Sequence, residues 1–147
     1  MAFEDLYQEI ILDHYRHPRN FATLEEVSDE NIHENPTCGD SLKLDIKLGD
    51  EGLIESVRFN GRGCAISVAS ASMMTEQLTG LSVKDALAKI SFFIKILRGE
   101  GDTAQLAEWG DLVALEGVVK YPIRVKCATL AWHAAIDLLV AKSSGRP

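Results

Sequence analysis

The stretch from Gly61 to Ser72 constrains the fold of this chain more than any other part of the sequence. It consists of an arginine between two glycines, then Cys64, then a run of mostly small side chains. Glycines permit a sharp turn, and small residues favour a helix that packs closely on its neighbour. We therefore expect a strand to end near Gly61 and a helix to begin just after Cys64. A thiol at a helix N-terminus is favoured as the reactive thiolate, although a lone cysteine is also a common core residue.

Alternating apolar and charged residues predict an antiparallel hairpin before this corner. Residues 42–48 alternate leucine or isoleucine with charged or polar side chains, and residues 53–60 return with apolar residues on one face. We expect a third short strand through 62–65, so that Cys38 at the start of the sheet and Cys64 at its end approach each other.

Helical spacing predicts four helices around this sheet, and the intervening segments are polar. The expected helices cover 3–17, 66–78, 82–98 and 122–141. Residues 21–36 are expected to form an extended surface connection, and 99–117 an acidic loop with a short amphipathic piece. His14 and His17 are interpreted as a basic helix end that complements the helix dipole, rather than as metal ligands.

Composition narrows the class of protein. At 147 residues the chain is expected to form a single domain, 1–147, and its formal charge of −7 argues against nucleic acid and anionic membranes as partners. The N-terminus is acidic and resembles no signal peptide, and no apolar run approaches the ~20 residues of a membrane span. Three cysteines are an odd number for a disulfide framework. We therefore expect a cytoplasmic protein with reactive, metal-bound or buried thiols.

The three cysteines and one aspartate lie at element boundaries or in first turns. Cys38 and Asp40 flank a glycine, and Cys127 falls on the inward face of the last helix, beside Lys126. With Cys64 they could form a tetrahedral site of three sulfur atoms and one oxygen, a donor set that selects zinc or iron. The chain lacks a CxxC pair, and three inert core cysteines remain the alternative.

Four motifs occur in a characteristic order along nearly the whole chain. They are a Leu-Tyr pair followed by Asp-His-Tyr within 6–15, Cys-Gly-Asp at 38–40, Gly-x-Gly-Cys at 61–64, and Lys-Cys at 126–127 before an apolar helix. This set resembles the IscU-like iron–sulfur cluster assembly proteins, and most closely their SufU branch. Two positions depart from the IscU pattern. Lys126 stands where IscU scaffolds carry histidine, and 120–124 differs from their chaperone-binding Leu-Pro-Pro-Val-Lys motif.

The resemblance implies a fold, a metal site and partners. The fold would be α+β of the SufE/IscU-like kind, with a small antiparallel three-stranded sheet packed against several helices. The metal ligands would be Cys38, Asp40, Cys64 and Cys127, holding zinc or, alternatively, a transient [2Fe-2S] cluster. Cys38 would be the catalytic residue that accepts persulfide sulfur from a SufS-type cysteine desulfurase, in a sulfurtransferase that works with this partner rather than as a stand-alone metabolic enzyme.

Two other functions remain open at this stage. One is a scaffold on which a [2Fe-2S] cluster is built and passed to apo iron–sulfur proteins. The other is a non-catalytic interaction module that zinc stabilises. The roles of Arg124 and Lys126 are left undetermined.

Overall fold

The expected fold class, an antiparallel sheet packed against helices, is confirmed by a computed structural model that describes residues 3–23, 32–35 and 39–143. The elements follow one another as α1 (Phe3–Arg16), β1 (Ile32–Asn35), β2 (Asp40–Leu48), β3 (Ile54–Arg62), α2 (Ala65–Leu78), α3 (Val83–Leu97), a 3-10 segment (Thr103–Lys120) and α4 (Pro122–Ser143). None of the helices in these ranges is long and apolar enough to span a bilayer.

The long hairpin of β2 and β3 is the centre of the sheet, as the alternation of side chains predicts. Leu44 lies opposite Phe59 and Ile46 opposite Val57, and all four side chains are buried. The helices α2 and α4 pack against β3 and β2 respectively. The period of two along β2 therefore reflects one face covered by helices and one face that is more open to solvent.

Two expectations about the remaining strand are wrong. Residues 62–65 form no strand of their own, because Arg62 is the last residue of β3 and α2 begins at Ala65. The additional strand is instead β1, which lies within 21–36 and pairs antiparallel with β2 in the order β1-β2-β3. Ladder pairing uses main-chain groups, so a polar strand of only four residues has little side-chain pattern that could reveal it.

The outer edge of β3 is occupied by loop backbone at two places. The N–H of Phe59 donates to the carbonyl of Asn20 at 3.1 Å, and its carbonyl accepts from the N–H of Ala22 at 3.0 Å. Near the other end, Ile54 exchanges hydrogen bonds with the backbone after α2, donating to Leu81 at 2.8 Å. Both bonded stretches of this edge are thus closed by the protein's own chain.

His14 fixes α1 to the helical layer. Its imidazole is completely buried, with Nδ1 2.7 Å from Oγ of Ser72 on α2 and Nε2 2.8 Å from Oδ2 of Asp111 in the 3-10 segment. His14 does lie in the basic last turn of α1, as predicted, but its ring is buried in the helical layer, whereas His17 is exposed. Histidine at apolar helical spacing is compatible with either location, and tertiary packing decides between them.

The helical core is built around Trp132 on α4. Its ring stacks on Phe93 of α3 with 3.9 Å between centroids, and its Nε1 donates to Oγ of Ser70 on α2 at 2.9 Å. Met73 and Met74 are buried in the same core. The start of α3 is capped, since Oγ of Ser82 accepts from the backbone N–H of Asp85 at the third helical position.

The segment after α3 is more ordered than the sequence predicts. A short amphipathic piece is expected there, but 3-10 turns extend from Thr103 to Lys120, interrupted at Trp109 and Gly110. Gly110 has φ 59° and ψ −128°, a backbone conformation that favours glycine. The buried residues of the 3-10 segment include Leu106, Leu112 and Leu115, which belong to the main hydrophobic core.

Candidate metal centre

Cys64 occupies the corner between β3 and α2, as the glycine pattern predicts. It is the residue immediately before the helix and has an extended backbone, with φ −71° and ψ 166°. Its side chain makes no capping hydrogen bond to the first turn of α2. The thiol is half-buried beside the N-terminus of α2.

Glycine is required at this corner because the backbone passes very close to polar side chains. A β-carbon on Gly63 would collide with Oδ1 of Asp40 and with Oγ of Ser67. A β-carbon on Gly61 would collide with the main chain of β2 at Ser41. The two glycines therefore allow the start of α2 to approach the start of β2, which brings residues that are distant in sequence into one site.

Asp40 is the first residue of β2 and is a buried carboxylate, with 2% of its surface exposed. Its Oδ1 accepts two hydrogen bonds, from the backbone N–H of Cys64 at 2.9 Å and from Oγ of Ser67 at 3.1 Å. Its Oδ2 is buried and has no hydrogen-bond partner, alone among the buried side-chain nitrogen and oxygen atoms of the described residues. Burying a polar atom without a hydrogen-bond partner costs free energy, so a ligand bound at this oxygen would stabilise the site.

Cys127 completes a cluster of three donor groups. It lies about one turn into α4, is buried, and faces inward as the helical pattern predicts. Its Sγ, the Sγ of Cys64 and a carboxylate oxygen of Asp40 all lie within 4.8 Å of one another. The fold thus brings together three of the four predicted ligands from a strand start, a helix cap and a helix interior.

Cys38 lies outside the described residues, so its part in the site stays a prediction. Gly39, the residue that links it to Asp40, is exposed and has φ 71°.

The donor groups fit a thiophilic divalent metal ion. Two thiols and a carboxylate match the donors of zinc and iron sites, and hard cations such as magnesium prefer oxygen alone. In a tetrahedral site with zinc–sulfur bonds of about 2.3 Å, ligand atoms are about 3.8 Å apart, and the three donor atoms here lie within 4.8 Å of one another. The partnerless Oδ2 of Asp40 supplies the remaining requirement, an oxygen that the protein leaves free for an ion.

A pocket of about 540 Å³ opens beside the cysteines. Its lining consists of Cys64 and Cys127 together with the first residues of α4 and the one before it, Tyr121–Arg124. Tyr121 and Ile123 are 61% and 58% exposed, which is high for apolar side chains next to a reactive site. Tyr121 and Arg124 also line an adjacent groove of about 560 Å³ between α1, α2 and the 3-10 segment.

Two features of the site could not be recognised from the sequence. Ser67 contacts Asp40, and the only sequence signal is its position three residues after Cys64, within the same first helical turn. The second feature is the solvent exposure of Tyr121 and Ile123. A tyrosine and an isoleucine at the start of a helix are as compatible with burial as with exposure.

Comparison with known proteins gives consistent results. Residues 6–128 match the model of the NifU-like N terminal domain. The zinc-dependent sulfurtransferase SufU of Bacillus subtilis is 43% identical over 144 residues, which cover 97% of this chain and 94% of that protein. The iron-sulfur cluster assembly scaffold protein IscU of Streptococcus pyogenes is 43% identical over 129 residues, which cover 88% of this chain and 79% of that protein. A crystal structure of a hypothetical protein superposes with a TM-score of 0.80 at 39% identity, covering 94% of this chain and 99% of the other.

Proposed function

Since this chain belongs to the family of the NifU-like N-terminal domain, and within it to the SufU-type IscU-like proteins, we propose that it is an iron–sulfur cluster assembly protein that binds zinc and accepts persulfide sulfur from a cysteine desulfurase. The observation that carries the proposal is the cluster of Asp40, Cys64 and Cys127 with its partnerless carboxylate oxygen. The similar Bacillus subtilis protein, named for zinc dependence and sulfur transfer, supports the same assignment. The proposed unit is one domain that spans 1–147.

The proposed zinc ligands are Cys38, Asp40, Cys64 and Cys127. Two residues of chain span at most about 7 Å, so the covalent link through Gly39 keeps Cys38 within reach of Asp40. When bound, zinc would hold the coordinating thiols as thiolates and protect them from oxidation. Such thiols require a reducing compartment, so we place the protein in the cytoplasm.

Cys38 is the proposed sulfur acceptor because its sequence position between Pro36 and Gly39 predicts a loop, whereas the other two cysteines belong to packed elements. Cys64 is held by the hydrogen bond from its backbone N–H to Asp40, and Cys127 is buried in α4. In the transfer step, the thiolate of Cys38 attacks the outer sulfur of a persulfide on the partner. A new S–S bond forms as the partner's S–S bond breaks, and the partner's cysteine leaves as a thiolate, so no external oxidant or reductant is needed.

The surface beside the cysteines is suited to a protein partner. The exposed side chains of Tyr121 and Ile123 offer apolar contact area next to the pocket, and aromatic residues are typical anchors of interfaces. The guanidinium of Arg124 in the same pocket lining offers a charge for an acidic residue or for an anionic persulfide. We propose that a SufS-type cysteine desulfurase docks here, and that apo iron–sulfur proteins or other assembly components are the later partners.

The test combines metal analysis with mass spectrometry. The protein is purified without chelators, its zinc, iron and sulfide contents are measured, and it is then incubated with a SufS-type desulfurase and cysteine. We expect one zinc per chain and a sulfur adduct on Cys38. A protein that carries zinc but gains no sulfur is a zinc-stabilised interaction module, and a protein without metal has three inert core cysteines; either result would overturn the proposal.

A scaffold for a [2Fe-2S] cluster is the second candidate function. It is favoured by the Streptococcus pyogenes relative, which is named as such a scaffold, and by thiol ligands that also suit iron. Iron and acid-labile sulfide in equal amounts, without zinc, would decide for this function.

A further inference from the structure

Ser67 contacts the metal centre without offering a typical metal ligand. It is completely buried in the first turn of α2, with Oγ 3.1 Å from Oδ1 of Asp40 and 3.0 Å from the carbonyl oxygen of Cys64. The thiol of Cys64 donates to the same Oγ over 3.8 Å. A hydroxyl has a single proton, so it donates fully to one of the two oxygen acceptors.

The hydrogen bond to Asp40 is the stronger of the two choices. The carbonyl of Cys64 already accepts the helical hydrogen bond from the N–H of Val68 at 3.2 Å. A carboxylate is a charged acceptor, and hydrogen bonds to ionised groups are about twice as strong as those between neutral groups. The hydroxyl proton of Ser67 therefore points at Oδ1 of Asp40.

With this hydrogen bond, the two carboxylate oxygens of Asp40 differ in the number of hydrogen bonds that they accept. Oδ1 is held by two donors, the hydroxyl of Ser67 and the amide of Cys64, whereas Oδ2 has no partner. Two donors on one oxygen also prevent the carboxylate from rotating about its Cβ–Cγ bond. From this geometry, and given the metal site of the proposed function, we infer that Ser67 is a positioning residue that makes Asp40 a one-oxygen ligand through Oδ2.

The chemical consequence concerns the affinity of the site for the metal and the way Asp40 coordinates it. Outer-shell hydrogen bonds orient ligands, and their loss typically lowers metal affinity 10–100-fold. Without Ser67 only the amide of Cys64 would hold Oδ1, so the carboxylate could rotate more easily and present either oxygen or both. We therefore expect Ser67 to set both the affinity and the coordination mode of Asp40.

The matched variants are Ser67→Ala and Ser70→Ala. Both serines are completely buried on α2, but Ser70 bonds to Trp132 and to the carbonyl of Ala128 rather than to Asp40. Both variants are expected to lose some stability, because each substitution leaves a buried polar group without its hydrogen-bond partner. Only Ser67→Ala should lower the zinc affinity, by about 10–100-fold in competition with a chromophoric chelator, and alter the visible spectrum of the cobalt-substituted protein.

Two further measurements separate positioning from a general structural role. In an Asp40→Ala background, Ser67→Ala should cause no additional loss of zinc affinity. In the wild-type zinc protein, the infrared difference spectrum against Asp40→Ala should report a carboxylate bound through one oxygen, and this measurement does not depend on how the serine variant folds.

The outcomes distinguish this inference from the proposed function. Equal zinc affinity and equal cobalt spectra in Ser67→Ala and wild type, or a carboxylate bound through both oxygens, overturn the inference and leave the zinc site in place. A wild-type protein that binds neither zinc nor cobalt overturns the proposed function and the inference with it.

Discussion

The backbone N–H of Cys64 donates a 2.9 Å hydrogen bond to Oδ1 of Asp40, which joins the residue before α2 to the first residue of β2. This bond requires no metal ion, so two of the proposed ligands are aligned by the fold itself. The buried core of Trp132, Phe93 and the sheet is also independent of the site. We therefore expect the chain to stay folded without metal, unlike small zinc domains.

Removal of zinc should lower the melting temperature and leave a folded protein. A ligand present at 1,000 times its dissociation constant stabilises the native state by about 4 kcal/mol. For a chain of this size, that corresponds to a fall of roughly 8–16 °C in strong chelator. Scanning calorimetry with far-ultraviolet circular dichroism checks the prediction. An unchanged transition with zinc proven absent, or a loss of helix at room temperature, would contradict it.

Asp40→Asn should separate metal binding from folding. The amide oxygen can still accept from Cys64 and Ser67, while the amide nitrogen replaces the oxygen left free for the ion. We expect zinc affinity to fall by more than about 100-fold, the upper end of typical outer-shell losses. The metal-free variant should be as stable as the metal-free wild type within about 1 kcal/mol, because a partnerless buried charge has been removed.

Chelator competition and urea unfolding of the metal-free proteins measure these two quantities. Asp45→Asn is the control, since Asp45 lies on the same strand and pairs with Arg58 rather than with the cysteines. Wild-type zinc affinity in Asp40→Asn would remove this residue from the metal site.

Gly63→Ala should damage the site and the fold together. The added methyl group would collide with Oδ1 of Asp40 and Oγ of Ser67, and overpacking of this kind costs about 1–3 kcal/mol. Gly117→Ala is the matched control, because a β-carbon there would meet no atom within 4 Å. Urea unfolding and zinc content of the two variants provide the measurement, and the prediction fails if both behave alike.

Cys38→Ala should abolish sulfur acceptance and leave the fold intact. A zinc site can keep three protein ligands with water at the fourth position, so partial zinc retention is expected. Cys64→Ala and Cys127→Ala should instead lose zinc and stability, because both side chains belong to the packed site. Mass spectrometry after incubation with desulfurase and cysteine checks this. An adduct on Cys64 or Cys127 in the wild type, with Cys38→Ala fully active, would falsify the assignment of Cys38.

His14→Ala should destabilise the protein without affecting zinc binding. The substitution removes a completely buried ring and its hydrogen bonds to Ser72 and Asp111, at a cost of about 2–4 kcal/mol. His17 is exposed and directly follows α1, so His17→Ala should change the free energy of unfolding by less than about 0.5 kcal/mol. Urea unfolding and zinc titration of both variants test the prediction. Wild-type stability in His14→Ala, or a weakened zinc site, would argue against a purely structural role.

The parts of the fold that local chemistry determines could be predicted from sequence. The glycine corner at Cys64 depends on backbone freedom within three residues, and the hairpin depends on a side-chain period of two, so both were correctly predicted. The inward position of Cys127 follows from helical spacing in the same way. These features orient Cys64 and Cys127, whereas the meeting of both with Asp40 depends on how α2, α4 and β2 pack.

The features that depend on tertiary contacts could not be predicted. The strand β1 exists because main-chain groups pair with β2, and its four residues, three of them polar, are too few to show a periodicity. The burial of His14 requires Ser72 and Asp111, which lie 58 and 97 residues away. The contact between Ser67 and Asp40 likewise joins two elements, so a serine three residues after a helix cap carries no sign of it.

The closed edge of β3 affects how the protein behaves at high concentration. An exposed strand edge can pair with the edge of a second molecule and start aggregation, and natural sheets protect their edges against this. Here the N–H and carbonyl of Phe59 are already bonded to Asn20 and Ala22, and the N–H of Ile54 to Leu81. The hairpin that positions Asp40 is thus shielded from intermolecular strand pairing along this edge, with or without a metal ion in the site.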